Sequence, residues 1–420
     1  MHPPAKIITL FQDRIKISVR EGDRDRGESE ILADLTRGLP LADRTAKRLL
    51  VPDSVCEFER PQLAYFLREC RRVLDANGML DIRSRAETVQ KGKERLDLSR
   101  LERLASMTGL TANPANNAFS EIVGSGQDTA TAGLPPHCLI TFTRKARMNT
   151  DSDLVSILIP AYNHAFFQQS LESALQQTHG NTEIIVCDDS GGDRIRDIIR
   201  RCSAPARVNY HRNPENLGAR RNYLRCYELA SGNYVKFLND DDMLDSRCIE
   251  RMVDILQRFD DITLVTSRRR LIDAKGSTLP DIPPTRPLVA SDSIIQGSCA
   301  SYIMLQSQLN FIGEPTTAMF RREDINDQQP DIMSFAGRPV MANLDVAMWL
   351  NLLYRGDLAY LVEPLSCFRI HGAQEQQKRS VRDLCLAAWQ QVTDDASQLG
   401  MLETSNRFGR IRRIAPPVKS

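Results

Sequence analysis

Carboxylates stand directly behind apolar runs at two places in the second half of this chain. Asp188 and Asp189 follow "TEIIVC", and Asp240, Asp241 and Asp242 follow "YVKFLN". A third apolar run, "VSILI", ends in Pro160, Ala161, Tyr162 and Asn163. Two unit charges about 4 Å apart repel by roughly 4 kcal/mol at an effective dielectric near 20, so clustered acids need a cation or hydrogen-bond donors beside them. A divalent ion is the simplest compensation, because Mg2+ or Mn2+ accepts one or two carboxylates and completes its shell with phosphate oxygens. That chemistry points to a bound nucleotide. Single acids have plainer explanations. Asp242 and Asp245 precede the helical pattern "SRCIERMVDIL" and are expected to cap it, and Asp189 before Ser190, Gly191 and Gly192 could form only a turn. A cap or a turn accounts for one acid at one loop, whereas acids at two neighbouring strand ends favour a metal and a nucleotide.

The elements that would position these residues alternate. "VSILIP" precedes "AFFQQSLESALQQ", "TEIIVCDD" precedes "RIRDIIRRC", "VNYH" precedes "ARRNYLRCYELA", and "YVKFL" precedes "SRCIERMVDILQRF". Short apolar runs alternating with helical periodicity predict a doubly wound, mostly parallel sheet. In such sheets ligands bind outside the carboxyl ends of the strands, where the acidic loops fall.

Composition narrows the function classes. The 420 residues suit two or three domains. With 55 basic and 54 acidic residues, net +1, no global field steers nucleic acid to this chain. Ten cysteines occur without paired C-x-x-C spacing, as suits reduced thiols. The first residues, "MHPPAKIITLFQDR", show no charged-then-apolar leader and no run of about 18 apolar residues occurs, so a cytoplasmic protein is expected. The tail "RFGRIRRIAPPVKS", with Arg407, Arg410, Arg412 and Arg413, could touch an anionic lipid surface at the inner face of the membrane; a solvated, frayed terminus is the plainer expectation.

Together, "VSILIPAYNHAFFQQSLESALQQTHGNTEIIVCDDSGGD", "NLGARRN" and "SGNYVKFLNDDDMLD" resemble the family 2 glycosyltransferases with the GT-A fold, over residues 154–372. The resemblance implies transfer of a sugar from a nucleotide-diphosphate donor to a carbohydrate or lipid-linked acceptor hydroxyl, with inversion and dependence on Mn2+ or Mg2+. Carried over by motif, it implies that Pro160, Ala161 and Tyr162 line the nucleobase and that Asp189 holds base or ribose. Asp240 would face ribose and Asp241 the metal, with Arg221, and less so Arg220, near the nucleotide. Many members read Asp-x-Asp-Asp in the acidic loop, and Asn239 departs from that pattern. Single displacement needs a carboxylate opposite the departing diphosphate, and Asp345 in "NLDVAMWLNLLYRGD" matches the family's base-bearing segment; a helix cap is the alternative. His371 in "FRIHG" matches a C-terminal histidine near metal or phosphates. Glu314, in a Gly-Glu-Pro turn, could read an acceptor hydroxyl or be a turn residue. A nucleotidyltransferase and a non-catalytic nucleotide-sugar scaffold are the alternatives. The first lacks a Gly-rich, Arg-containing loop at "PAYNHAFF", and Asp240, Asp241 and Asp345 together argue against the second.

Residues 1–110 resemble the later half of a class I methyltransferase, through Asp34, a Leu-Pro turn and the helix-to-strand junction "ECRRVLDANGMLDI", with "LDLSRLERLASMTGL" as closing helix and a last strand, "CLITF", reaching to 145. No G-x-G-x-G loop precedes Asp34, so an incomplete Rossmann-like module without methyl transfer is expected. A linker at 146–153 would then join it to the domain at 154–372, and residues 373–420 would form a C-terminal helix and the basic tail.

Overall fold

The computed structural model describes residues 14–21, 29–34, 46–51, 60–85, 101, 105, 108, 110–112, 137–144, 153–325, 331–372, 379–402 and 411–415. The chain divides into two compact units, 1–148 with 398–400 and 149–397 with 401–420.

In the first unit, β1 (Arg14–Glu21) pairs antiparallel with β2 (Ser29–Asp34) and with β3 (Ala46–Val51). Helix α1 (Arg60–Val73) then returns the chain so that β4 (Leu74–Arg85) lies parallel to β3. Leu63, Phe66, Leu67 and Cys70 recur at i, i+3, i+4 and i+7 and are fully buried, which is how an amphipathic helix covers one sheet face. Strand β5 (Leu110–Ala112) pairs with β6 (His137–Arg144), which runs antiparallel to β4. The expected helix-to-strand junction and last strand are present as α1–β4 and β6. Most of the expected closing helix lies outside the described residues, as does the linker apart from Asp153; Leu101 and Ala105 are helical and buried.

The second unit opens with β7 (Val155–Ala161), α2 (Phe167–Leu175), β8 (Thr182–Asp188), α3 (Arg194–Arg201), β9 (Val208–Arg212), α4 (Ala219–Leu229) and β10 (Tyr234–Phe237). These strands are parallel in the order β9-β8-β7-β10, and every residue of β7 is buried, as a central strand covered on both faces must be. From β7 the chain moves one way to β8 and later returns to the other side at β10. The carboxyl ends of β7 and β10 therefore flank the switch point where such sheets leave a crevice.

After β10 come β11 (Met243–Leu244), α5 (Cys248–Arg258), β12 (Ile262–Ile272), β13 (Thr278–Leu279), β14 (Ser293–Ile295) and α6 (Gly297–Ser307). They are followed by β15 (Ala318–Arg321), the small pair β16 (Ser334–Phe335) and β17 (Arg338–Pro339), α7 (Leu344–Arg355), β18 (Asp357–Arg369), α8 (Arg379–Gln398) and β19 (Ile411–Arg413). The doubly wound α/β architecture is as expected. Beyond β10 the sheet becomes mixed, because β15 runs antiparallel to both β10 and β12 while β18 is parallel to β12.

The basic tail is not frayed at 411–413, which add an edge strand to β14. Arg412 pairs with Asp261 at 2.5 Å.

Candidate active site

The acidic loop, residues 239–242, is fixed from three sides. From α2, Ser170 donates to the Asn239 carbonyl at 2.8 Å, while Ser173 accepts the Leu244 N–H at 3.1 Å. Gln177, one turn on, donates to the Asp245 carbonyl at 2.8 Å and accepts the Ile249 N–H at 3.0 Å. Ser170 and Ser173, at i and i+3, share one face of α2, and Gln177, just past the helix end at Leu175, extends that polar stripe along the loop backbone. From the β12–β15 side, Thr316 accepts the Asn239 N–H at 3.0 Å and donates to Asp242 at 2.7 Å. From β18, the Arg369 N–H donates to Asp242 at 3.0 Å.

Asp242 is therefore not the helix cap expected of it. It is fully buried and takes donors from Asn239, Thr316 and Arg369, and burial, with Asp241 and Glu314 nearby, pushes its carboxyl well above the usual range. Asp245 is not the cap either: the cap position of α5 is Arg247, with no side-chain cap bond, and Asp245 instead closes a turn just before it by accepting the Arg247 N–H at 3.1 Å. Asn239 has a physical reason to depart from aspartate. Its side chain accepts the Tyr223 hydroxyl and donates to Asp242 at 3.1 Å, and a carboxylate there would set a second negative charge against a buried one.

Asp240 turns the other way. One carboxylate oxygen accepts the backbone N–H groups of Tyr162 and Asn163, each at 2.6 Å, so the loops after β7 and β10 are tied across the switch point. Burial raises its pKa to about 6 despite those two donors. Pro160 and Ala161 end β7, and the Tyr162 side chain stands exposed at 60 %, free to stack on a ligand.

Asp241 meets His371 at 3.0 Å, carboxylate oxygen to Nε2. Pairing of β11 with β18 brings this about, since His371 follows β18. Arg369, two residues earlier and fully buried, anchors the arrangement. Its guanidinium donates to the Asp241 carbonyl at 2.8 Å, to Gln169 at 2.6 Å and to the Asp273 carbonyl at 3.1 Å, and lies 4.5 Å from the Phe166 ring centre, whose ring tilts over His371.

Among the described residues no group of three or more His, Cys, Asp or Glu side chains is arranged to hold a metal. Asp241 and His371 fit the sparser set of a nucleotide site, in which the protein gives one or two ligands and phosphate and water the rest.

Asp189 is committed to the protein. Asn213 and the Leu217 N–H donate to one oxygen, each at 2.8 Å, and the Gly218 N–H to the other at 2.9 Å. A carboxylate has about four acceptor sites, so about one remains for a ligand. The "NLGARRN" motif is the cradle for this acid, and its last residue, Asn222, also ties the ends of β7 and β8 by donating to the carbonyls of Ala161 at 3.4 Å and Cys187 at 3.1 Å. Its two arginines lie outside this cluster. Arg220 pairs with Asp331, and Arg221 is exposed on α4 with no hydrogen bond into the cluster among the described residues.

On the other side of the loop, Asp345 lies in the first turn of α7. The helix cap is Asn343, in the left-handed region at φ 50°, so Asp345 is not itself the cap. It accepts the Val346 N–H at 2.9 Å and Asn310 Nδ2 at 2.7 Å, and burial, reinforced by Glu314, raises its pKa to about 6. Glu314 is buried in an ion pair with Arg269 at 2.9 Å, and its second oxygen has no hydrogen-bond partner among the described residues. Tyr223 ties both sides together. Its phenol is held well above its ordinary pKa by burial and then by the charges of Asp240, Asp241, Asp242 and Asp345, so all four acids act on this one buried group.

Sequence reasoning missed Asn310, Thr316, Arg269 and Tyr223, whose partners are remote in the chain and leave no local signal. Arg369 had one, its place two residues before His371.

By fold and site this is an α/β domain with an acidic cluster at the carboxyl ends of parallel strands. Residues 156–327 match glycosyl transferase family 2, and the chain belongs to that family. An uncharacterised protein of Mycobacterium tuberculosis is 30% identical over 237 residues, 54% of this chain and 70% of that protein. A putative teichuronic acid biosynthesis glycosyltransferase, TuaG, of Bacillus subtilis is 26% identical over 209 residues, 49% of this chain and 75% of its own. The chain spans only 29% and 23% of the lengths of two rickettsial relatives. Among solved structures, S. aureus TarS 1–349 in complex with UDP-GlcNAc aligns with 60% of this chain and 72% of its own, at 13% identity and a TM-score of 0.44.

Proposed function

We propose that this chain transfers a sugar from a nucleotide-diphosphate donor to a hydroxyl of a carbohydrate or lipid-linked acceptor, with inversion and with Mn2+ or Mg2+. The observation that best supports the reading is that Asp240, Asp241, Asp242 and Asp345 all act on the one buried Tyr223 phenol, as a base near a diphosphate site would. Tyr162, Pro160 and Ala161 would line the nucleobase, and Asp189 would offer its remaining acceptor to base or ribose. Asp240, already bonded to the Tyr162 loop, would face the ribose. Asp241 and His371 would hold the cation, which when bound supplies positive charge to the diphosphate leaving group. Asp345, with a pKa of about 6, is ionised at neutral pH and basic enough to take the acceptor's hydroxyl proton during displacement. Fixed loops supply orientation, which in such reactions is worth several kcal/mol. The relative named for teichuronic acid biosynthesis supports assembly of a surface polysaccharide. We read the first unit as methyltransferase-like in descent and inert in methyl transfer; calorimetry with S-adenosylmethionine is expected to show no heat.

The test is a panel of nucleotide sugars scored for release of nucleoside diphosphate, with and without manganese, in the presence of saccharide acceptors. Manganese-dependent release from at least one donor is expected. No release from any donor with or without the ion would overturn the reading.

A further inference from the structure

The carboxylate of Asp345 is held by a residue 35 positions away. Asn310 Nδ2 donates to one Asp345 oxygen at 2.7 Å, while the other oxygen accepts the Val346 N–H at 2.9 Å. Asn310 is itself fixed at both ends of its amide. Its Oδ1 accepts the Gly313 N–H at 3.0 Å, and Nδ2 also donates to the Gly313 carbonyl at 3.1 Å. That carbonyl in turn accepts the indole N–H of buried Trp349, on α7, at 2.9 Å. Gly313 has φ +107°, and a Cβ there would lie 2.7 Å from both the Arg269 guanidinium and the Thr317 hydroxyl. Only glycine fits this turn, so the amide of Asn310 has one place to sit.

We propose that Asn310 is the positioning residue of Asp345: it fixes which oxygen of the carboxylate is committed to the protein and favours its ionised form, leaving the remaining lone pairs to receive an acceptor's proton. The inference rests on the base role proposed for Asp345. A carboxylate that accepts a hydrogen bond is stabilised in its charged state, and loss of the donor raises its pKa. The other groups acting on Asp345 are Glu314, which raises its pKa, and Arg269, which lowers it, from the β12–β15 side. Tyr223 on α4 and Cys385 on α8 are also within its electrostatic reach. None of them forms a hydrogen bond to its carboxylate among the described residues, which leaves Asn310 as the only side chain there doing so.

The experiment titrates the Asp345 carboxyl directly in the full chain, by 13C NMR of aspartate-labelled protein, with the resonance assigned by its loss in Asp345→Asn. In Asn310→Ala and in the near-isosteric Asn310→Asp, the Asp345 pKa should rise by about one unit or more, while UDP, used as probe of the nucleotide end, keeps its affinity. With a donor found by the panel, kcat should fall about 10- to 100-fold, and the acid limb of its pH profile should move up with the NMR titration. An unmoved Asp345 pKa in a folded Asn310→Asp protein would overturn the proposal. Retention of transfer by Asp345→Asn would instead remove the base role, whatever the Asn310 variants show.

Discussion

At the scale of single residues, the acids divide by what already satisfies them. Asp242 and Asp189 spend their oxygens on the protein and set loop shape, whereas Asp241 and Asp345 keep acceptor capacity to spare. Two predictions belong here. Asp345→Asn should keep UDP affinity and lose transfer by about 100-fold or more, the lower range for a general base; equal rates for both proteins would refute the role. Asn239→Asp should restore the commoner family residue and still harm this protein, because the amide donor to buried Asp242 becomes a like charge. A stability loss of about 1–3 kcal/mol is expected at neutral pH, shrinking as acid protonates one member of the pair. Thermal midpoints at several pH values read both features.

At the scale of elements, the site depends on helices packed close to the sheet. The face of α2 that carries Ser170 and Ser173 was visible as part of a helical pattern, but its second use, bonding the acidic loop, was not. α6 and α7, which brace the Asp345 side, approach with no spare volume. A Cβ added at Gly297 would lie 1.9 Å from the Gly356 carbonyl oxygen and 2.4 Å from that of Leu353. Backbone cannot yield as a flexible side chain can, so Gly297→Ala should cost about 3 kcal/mol or more. Denaturant titration of the variant checks this, and a midpoint unchanged from the parent would contradict the packing described. Sequence periodicity placed the strands β7 to β10 and the helices α2 to α5; it missed β11, too short to carry a period, and the pair β1 and β2, although Ile15, Ile17 and Val19 alternate with polar residues in β1.

At the scale of the whole molecule, stability and activity should run in opposite directions with pH. Asp240 and Asp345 both titrate near 6, above their unfolded value near 3.9, so between about pH 4 and 6 the folded state binds more protons than the unfolded chain. Stability therefore falls as pH rises through that window, by roughly 1–2 kcal/mol for each acid once their partial solvent contact is discounted, and levels off above about 6. On the base role proposed for Asp345, activity should rise across the same window, because only the ionised carboxylate can take a proton. Melting temperature and rate measured in one buffer series should cross, and parallel curves would contradict this origin for the pH dependence. By itself the sequence determined the alternating α/β order of the second unit and the acids at its strand ends, since periodicity and loop composition are local properties of the chain. Tertiary structure alone decided which acids are consumed within the protein and which keep acceptors open, because donors such as Asn310, Thr316 and Arg369 reach them only after distant strands have paired.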